Sequence, residues 1–136
     1  MTGVQTCALP IYYPVQENVR DIVAGFTYLR VIDLRRTKKG DTLTISGFFE
    51  DASYKLKIIY DGKEKISSDV GKVICHRLIP IVPDNKLFDG DNSITVWLSD
   101  DQNQVPVKIQ AKMFIGSTGL ELVEFRGLRN QFKIVQ

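Results

Sequence analysis

The chain has 136 residues, 43% apolar and 25% charged, with a formal net charge of +2. That is an ordinary globular composition for one domain, without the strong field that would draw nucleic acid or an anionic membrane surface. No apolar run reaches the roughly 18–20 residues of a membrane-spanning helix. Of the two cysteines, Cys7 lies in an atypical leader, so Cys75 is the one thiol of the patterned region and has no disulfide partner there.

In chain order, the opening MTGVQTCALP carries no charge and no period. It lacks the basic start and long apolar run of a secretory signal. Patterning begins in ENVRDIVAGFTYLRVIDL, where Ile22, Val23, Phe26 and Leu29 fall close to helical spacing and Asn18 or Asp21 can cap. This predicts one short amphipathic helix over roughly 19–31, weakened by Gly25, which costs about 1 kcal/mol relative to Ala. The basic run Arg35, Arg36, Lys38 and Lys39 has no interleaved aromatics. It reads as a solvated loop rather than a platform for nucleic acid.

From Thr42 the period becomes two. Leu43, Ile45, Gly47 and Phe49 share one side of a strand, EDAS turns the chain, and Tyr54, Leu56, Ile58 and Tyr60 share one side of the next. Asp61-Gly62 is a hairpin signal, so EKISSD reads as a separate returning strand. KVICHRLIPIV is apolar on both faces, as a central strand would be. VPDNKLFDGDN is a loop, and SITVWLS alternates Ile94, Val96 and Leu98 against Thr95 and Trp97. After SDDQNQ, a strand over 105–115 puts Val105, Val107, Ile109, Ala111, Met113 and Ile115 on one side. Pro106 marks an edge, a bulge or the limit of pairing. GSTG turns again, and LELVEFRG closes. Short turns between neighbours require antiparallel pairing. The predicted fold is mainly β: an antiparallel meander of about seven strands forming a curved sheet or half-barrel, with the helix on its concave side or capping an end. One face should be buried and the other wet.

Residues that carry chemistry are sparse. His76 is the only histidine, no His/Cys metal-ligand cluster exists, and no glycine-rich phosphate loop is present. A pairing of Cys75 with His76 is disfavoured, because neighbours on a strand point to opposite faces, and Cys75 reads as a buried inert thiol. Asp84, Asp89 and Asp91 lack the spacing of a calcium loop and read as turn residues. The carboxylate pairs Glu50–Asp51 and Asp100–Asp101 also fall at turns, although Asp100 and Asp101 are the best acid–base candidates for glycoside chemistry. No catalytic constellation, cofactor or metal site follows from these residues.

Three stretches carry a family resemblance: DIVAGFTYLR, then GKEKISSDVGKVICHRLIPIV, then ITVWLSDDQNQVPVKIQAKMFIGSTGLEL. Its strongest part is Trp97 to Asp101, followed by Val105 to Ile109 and Ile115 to Ser117. Over about residues 19–128 the chain resembles the C-terminal half of domain-of-unknown-function family 3108, exported proteins of Gram-negative bacteria. The resemblance implies a periplasmic or outer cell-envelope location. The leading functional expectation is a non-enzymatic module whose curved sheet offers an apolar concavity to a lipid, lipoprotein or glycan, with analogy of fold as its basis. Phe49, Tyr54, Tyr60 and Trp97 are the candidate lining residues; the alternative is that these rings fill the core. Rival readings are an envelope enzyme acting on polysaccharide or lipid through carboxylates such as Asp100 and Asp101, and an assembly partner that uses its sheet edge.

Family members carry a signal peptide and several strands before this portion. Residues 1–11 instead resemble a translated sequencing-adapter read, so the expectation is that residues 12–136 are the truncated C-terminal portion of one β-rich domain. Missing strands would leave an unpaired edge and an uncovered apolar face. A chain with those strands restored should be soluble and melt cooperatively, while this chain expressed alone should be marginal or aggregate. Equal solubility and equally cooperative melting of the two would count against the fragment reading.

Overall fold

The computed structural model describes residues 22–49, 52–81 and 93–136. A helix α1 (Ile22–Tyr28) runs into a single 3-10 turn (Leu29–Val31). Six strands follow: β1 (Thr42–Phe49), β2 (Ala52–Ser68), β3 (Gly71–Ile81), β4 (Ile94–Ser99), β5 (Pro106–Lys112) and β6 (Ser117–Glu121). They form one open sheet in sequence order, every neighbouring pair antiparallel. The described helix falls within the predicted span, while its expected caps Asn18 and Asp21 lie outside the described residues. Gly25 is buried against Ile45, where an added Cβ would sit 3.6 Å from Ile45 Cδ1, an ordinary contact.

Among the described residues there are six strands, against about seven expected, because Asp61-Gly62 is not a hairpin. β2 continues through it for 17 residues and pairs with β3 on both sides. Tyr60 opposes Leu78 and Lys63 opposes His76, so Asp61 and Gly62 together face Arg77. Two residues against one is a β-bulge, and a glycine at φ +83° is the residue such a bulge favours. The dipeptide supplies positive φ to either structure, and the long partner strand selects the bulge. The true β2–β3 hairpin turns at Asp69-Val70, with Ser68 opposite Gly71. Arg77 secures the bulge by donating to Asp61 Oδ2 at 2.7 Å.

A second offset lies across the sheet. Trp97 opposes Lys108 but Leu98 opposes Pro106, which leaves Val107 as the extra residue on β5. Pro106 begins its strand at that irregularity, one of the places predicted for it. The 105–115 strand is therefore not one-sided as predicted. Val105 and Val107 face one core and Ala111 and Ile109 the other. β5 also ends early: Met113–Gly116 make the turn, Ile115 is 94% exposed, and the predicted GSTG turn instead opens β6. β6 is exposed along its length and forms the sheet's outer edge.

The two offsets explain the packing. On β2, Ile58 and Tyr60 lie in one core, but Ile66, beyond the bulge, lies in the other. The regular strands β3 and β4 serve both faces by plain alternation: Leu78, Val96 and Leu98 on the first, Val73, Cys75 and Trp97 on the second. The expectation of one wet face is thus corrected. Leu29 and Leu34 cover the first face, with Leu43, Leu56 and Ile109 packed against that core. Phe132, with Leu122 and Leu128, covers the second. Val135 bridges to Lys72 and so ties the chain's last residues to β3.

Replacing Gly62 by Ala forces a side chain into positive φ and should cost about 1–2 kcal/mol. Gly25→Ala has room for its Cβ and should stabilise by up to about 1 kcal/mol through helix propensity. Urea unfolding of both variants checks the contrast.

Candidate functional site

The connection from β4 to β5 is short, polar and heavily bonded. Ser99 N donates to Val105 O at 2.9 Å, and Val105 N donates back to Ser99 Oγ at 2.8 Å. Inside this closed loop Asp101 Oδ1 accepts from Ser99 Oγ at 3.0 Å, Asn103 N at 2.9 Å and Gln104 N at 3.2 Å. An aspartate that gathers backbone N–H groups in this way is a turn-former, as its position in SDDQNQ suggests. Gln104 takes a left-handed backbone at φ +43°, rare for a residue with a side chain.

That conformation has a structural use. The buried Gln104 Nε2 lies 3.1, 3.0 and 2.8 Å from the carbonyls of Leu29, Arg30 and Ile32. Its neighbour Asn103 donates through Nδ2 to Asn130 O at 3.0 Å and accepts from Asn130 N at 3.0 Å. One loop therefore ties down both covers of the sheet, the segment over the first face and the segment over the second. Asp101 Oδ2 adds a bond from Lys133 N at 3.2 Å.

Beside this loop lies a polar chain of side chains. Tyr60 Oη is 2.8 Å from His76 Nδ1, and His76 Nε2 is 3.1 Å from Asp100 Oδ1. Lys63 Nζ donates to Asp100 Oδ2 at 2.8 Å. The Asp100 carboxylate can only accept, so the ring nitrogen facing it carries the proton and Nδ1 accepts from the tyrosine hydroxyl. A neutral imidazole fills both positions. His76 is 2% exposed, and its burial pushes the ring below its ordinary pKa against the pull of Asp100. Burial alone would raise Asp100, but the bond from Lys63 and the neighbouring positive charge hold it below the usual carboxylate range. Burial raises Tyr60.

Between the 3-10 segment, the β4–β5 connection and residues 130–133 opens a cleft of about 750 Å³. Arg30, Asp33, Arg35, His76, Asp100 and Lys133 are its titratable walls besides Asp101, and Gln102, Gln104, Asn130 and Gln131 supply amides. This is within the usual size range of small-ligand sites but more polar than most.

The residues singled out from sequence fall in several places. The side chains of Phe49 and Tyr54, the pair Glu50–Asp51, and Asp84, Asp89 and Asp91 lie outside the described residues. Tyr60 is buried in the first core, and Trp97 in the second, on the opposite face of the sheet. Trp97 Nε1 donates to Glu64 Oε2 at 2.8 Å, with Arg77 and Lys108 each within 6 Å of its ring centre. Burial raises the Cys75 thiol to about 12, so it stays protonated at neutral pH. Among the described residues no group of three or more His, Cys, Asp or Glu is arranged to hold a metal ion. No helix among them is long and apolar enough to cross a membrane. Sequence reasoning missed Arg30, Lys63, Asn103 and Gln104. For Asn103 and Gln104 the visible signal was the amide-rich DDQNQ, which carries more side-chain amides than a simple turn requires; Arg30 and Lys63 had none.

The fold and site define a single-sheet antiparallel meander, covered on both faces, with a polar cleft where the covers meet. The chain belongs to the family described as Protein of unknown function (DUF3108), whose model matches residues 4–123. No curated protein and no solved structure matches it.

The buried histidine gives stability a pH dependence of definite sign. An unfolded chain takes up a proton near pH 6.5 that the folded ring refuses. The unfolded state then binds more protons, so stability falls as pH drops below about 6.5 and keeps falling until the lower folded value is reached. The contribution of Asp100 is lost only at more acid pH, below its ordinary 3.8. Urea unfolding at pH 7.5, 6 and 5 should show the upper limb in the native chain, and His76→Gln should remove it.

Proposed function

We propose that this chain is a non-enzymatic binding module of the bacterial cell envelope and that the polar cleft is its ligand site. Among the ligand classes expected from the sequence, the geometry favours a glycan over a lipid or lipoprotein chain. The observation that carries this is the division of the molecule. Among the described residues the apolar cores of the sheet are covered by Leu29, Leu34 and Phe132, whereas the cleft of about 750 Å³ has mostly amides and charged groups in its walls, with Val31 and Ile32 as its apolar members. A sugar hydroxyl matches amide and guanidinium walls; an acyl chain would leave them desolvated without partners.

Several features favour binding over catalysis. Asp100 is bonded to Lys63 and lies against His76, Asp101 accepts from its own loop, and Asp33 receives two bonds from Arg35. A glycosidase needs one carboxyl group with a raised pKa facing another across the scissile bond. Here Asp33 is lowered to about 2 by the Arg35 bonds, and Asp100 is lowered too.

Amide resonances of residues 30–35, 100–104 and 130–133 should shift on titration with soluble oligosaccharides cut from envelope polysaccharide. Saturable uptake of a fluorescent fatty acid, with no saccharide-induced shift in those segments, would overturn the reading.

A further inference from the structure

Within that reading, we infer that the cleft selects saccharides bearing a negative charge, with Arg30 and Lys133 as the recognising cations. The argument follows the pairing of each wall group. Arg35 is held by Asp33 at 2.9 and 3.0 Å. Asp100 is neutralised from behind by Lys63, which does not line the cleft. Asp101 is occupied by Ser99 Oγ and by the backbone N–H groups of Asn103, Gln104 and Lys133. The carboxylates are thus engaged inside the protein, and His76 is a neutral ring already placed between Tyr60 and Asp100.

Arg30 and Lys133 are left. Arg30 Nε and Nη2 lie 3.4 Å from one neutral partner, the carbonyl of Asn103, which orients the guanidinium without cancelling its charge. Lys133 is fixed through its backbone bond to Asp101, and its ammonium makes no ion pair among the described residues. The two cations are carried by the two covers of the sheet, Arg30 by the segment over the first face and Lys133 by the segment over the second. Both line the cleft between those covers. The wall carboxylates already accept from donors of the protein itself, whereas Arg30 makes no ion pair among the described residues and Lys133 acts on Asp100 only beyond ion-pair distance, so the charged donors left to a ligand are these two. The complementary ligand is rich in acceptors and anionic, and a guanidinium and an ammonium together suit a carboxylate or phosphate on a sugar.

A matched pair of probes isolates the charge: oligogalacturonate and its fully methyl-esterified form, titrated by calorimetry and by amide shifts. The free acid should bind at least about tenfold more tightly than the ester and lose affinity as salt rises. Arg30→Gln and Lys133→Gln should each weaken acid binding by about tenfold and leave the ester nearly unchanged. Arg36→Gln, an exposed cation outside the cleft, should change neither. The three replaced side chains belong to exposed residues, and unchanged amide spectra away from the cleft will verify the fold of each variant. Equal affinity for acid and ester at the cleft would overturn the charge selection and leave saccharide binding standing. If neither probe shifts the cleft residues, both the selection and the glycan reading fall.

Discussion

The structure depends on two one-residue offsets in an otherwise regular sheet. Opposite Arg77, β2 carries an extra residue at Asp61-Gly62, and beside Trp97, β5 carries one at Val107. Arg77 and Trp97 are themselves paired across β3 and β4, so both offsets fall on one cross-strand row. A strand's side chains alternate with period two, so one inserted residue exchanges its faces from that point onward. The flanking strands thereby deliver apolar side chains to opposite faces on either side of the row. The sheet has two cores as a result, each needing its own cover.

Those covers come from the two ends of the described chain. The helix, the 3-10 turn and Leu34 lie over the first core, and residues 122–136 cross the second without regular structure. Neither segment is long enough to be stable alone, and each is held by side-chain contacts with a single loop. Gln104 binds the carbonyls of the first segment, and Asn103 binds the backbone of the second. The left-handed backbone at Gln104 sits at this junction, where several hydrogen bonds outweigh its local cost of about 1–2 kcal/mol.

The cleft follows from the same arrangement. It lies where the two covers meet the β4–β5 connection, and Gln104 and Asp101, which fasten the covers, are among its polar wall residues. The pairing pattern that stabilises this end of the molecule also sets its chemistry. The carboxylates accept from loop N–H groups, from Lys63 and, at the surface, from Arg35, while Arg30 and Lys133 make no ion pair among the described residues. Tyr60, His76 and Asp100 form a buried hydrogen-bonded relay at the edge of the cleft, with the imidazole held neutral by burial.

Alternation alone was enough to predict an antiparallel meander, since period two downstream of Thr42 and short polar turns permit little else. Leu43, Leu56, Val96 and Ile109 all belong with one core, as their spacing requires, and the doubly apolar β3 lies inside the sheet. Sequence could not distinguish the bulge at Asp61-Gly62 from a hairpin, because both use a glycine at positive φ and only the length of the partner strand separates them. It also could not show that Val107 shifts register, since Val105 to Ala111 alternate without a visible break. The roles of Arg30, Asn103, Gln104 and Lys133 depend on contacts spanning 27 to 75 positions, which no local pattern encodes. Local periodicity determined which backbone forms; only tertiary pairing decided which face each side chain reached and which of the described cations were left without an ion pair.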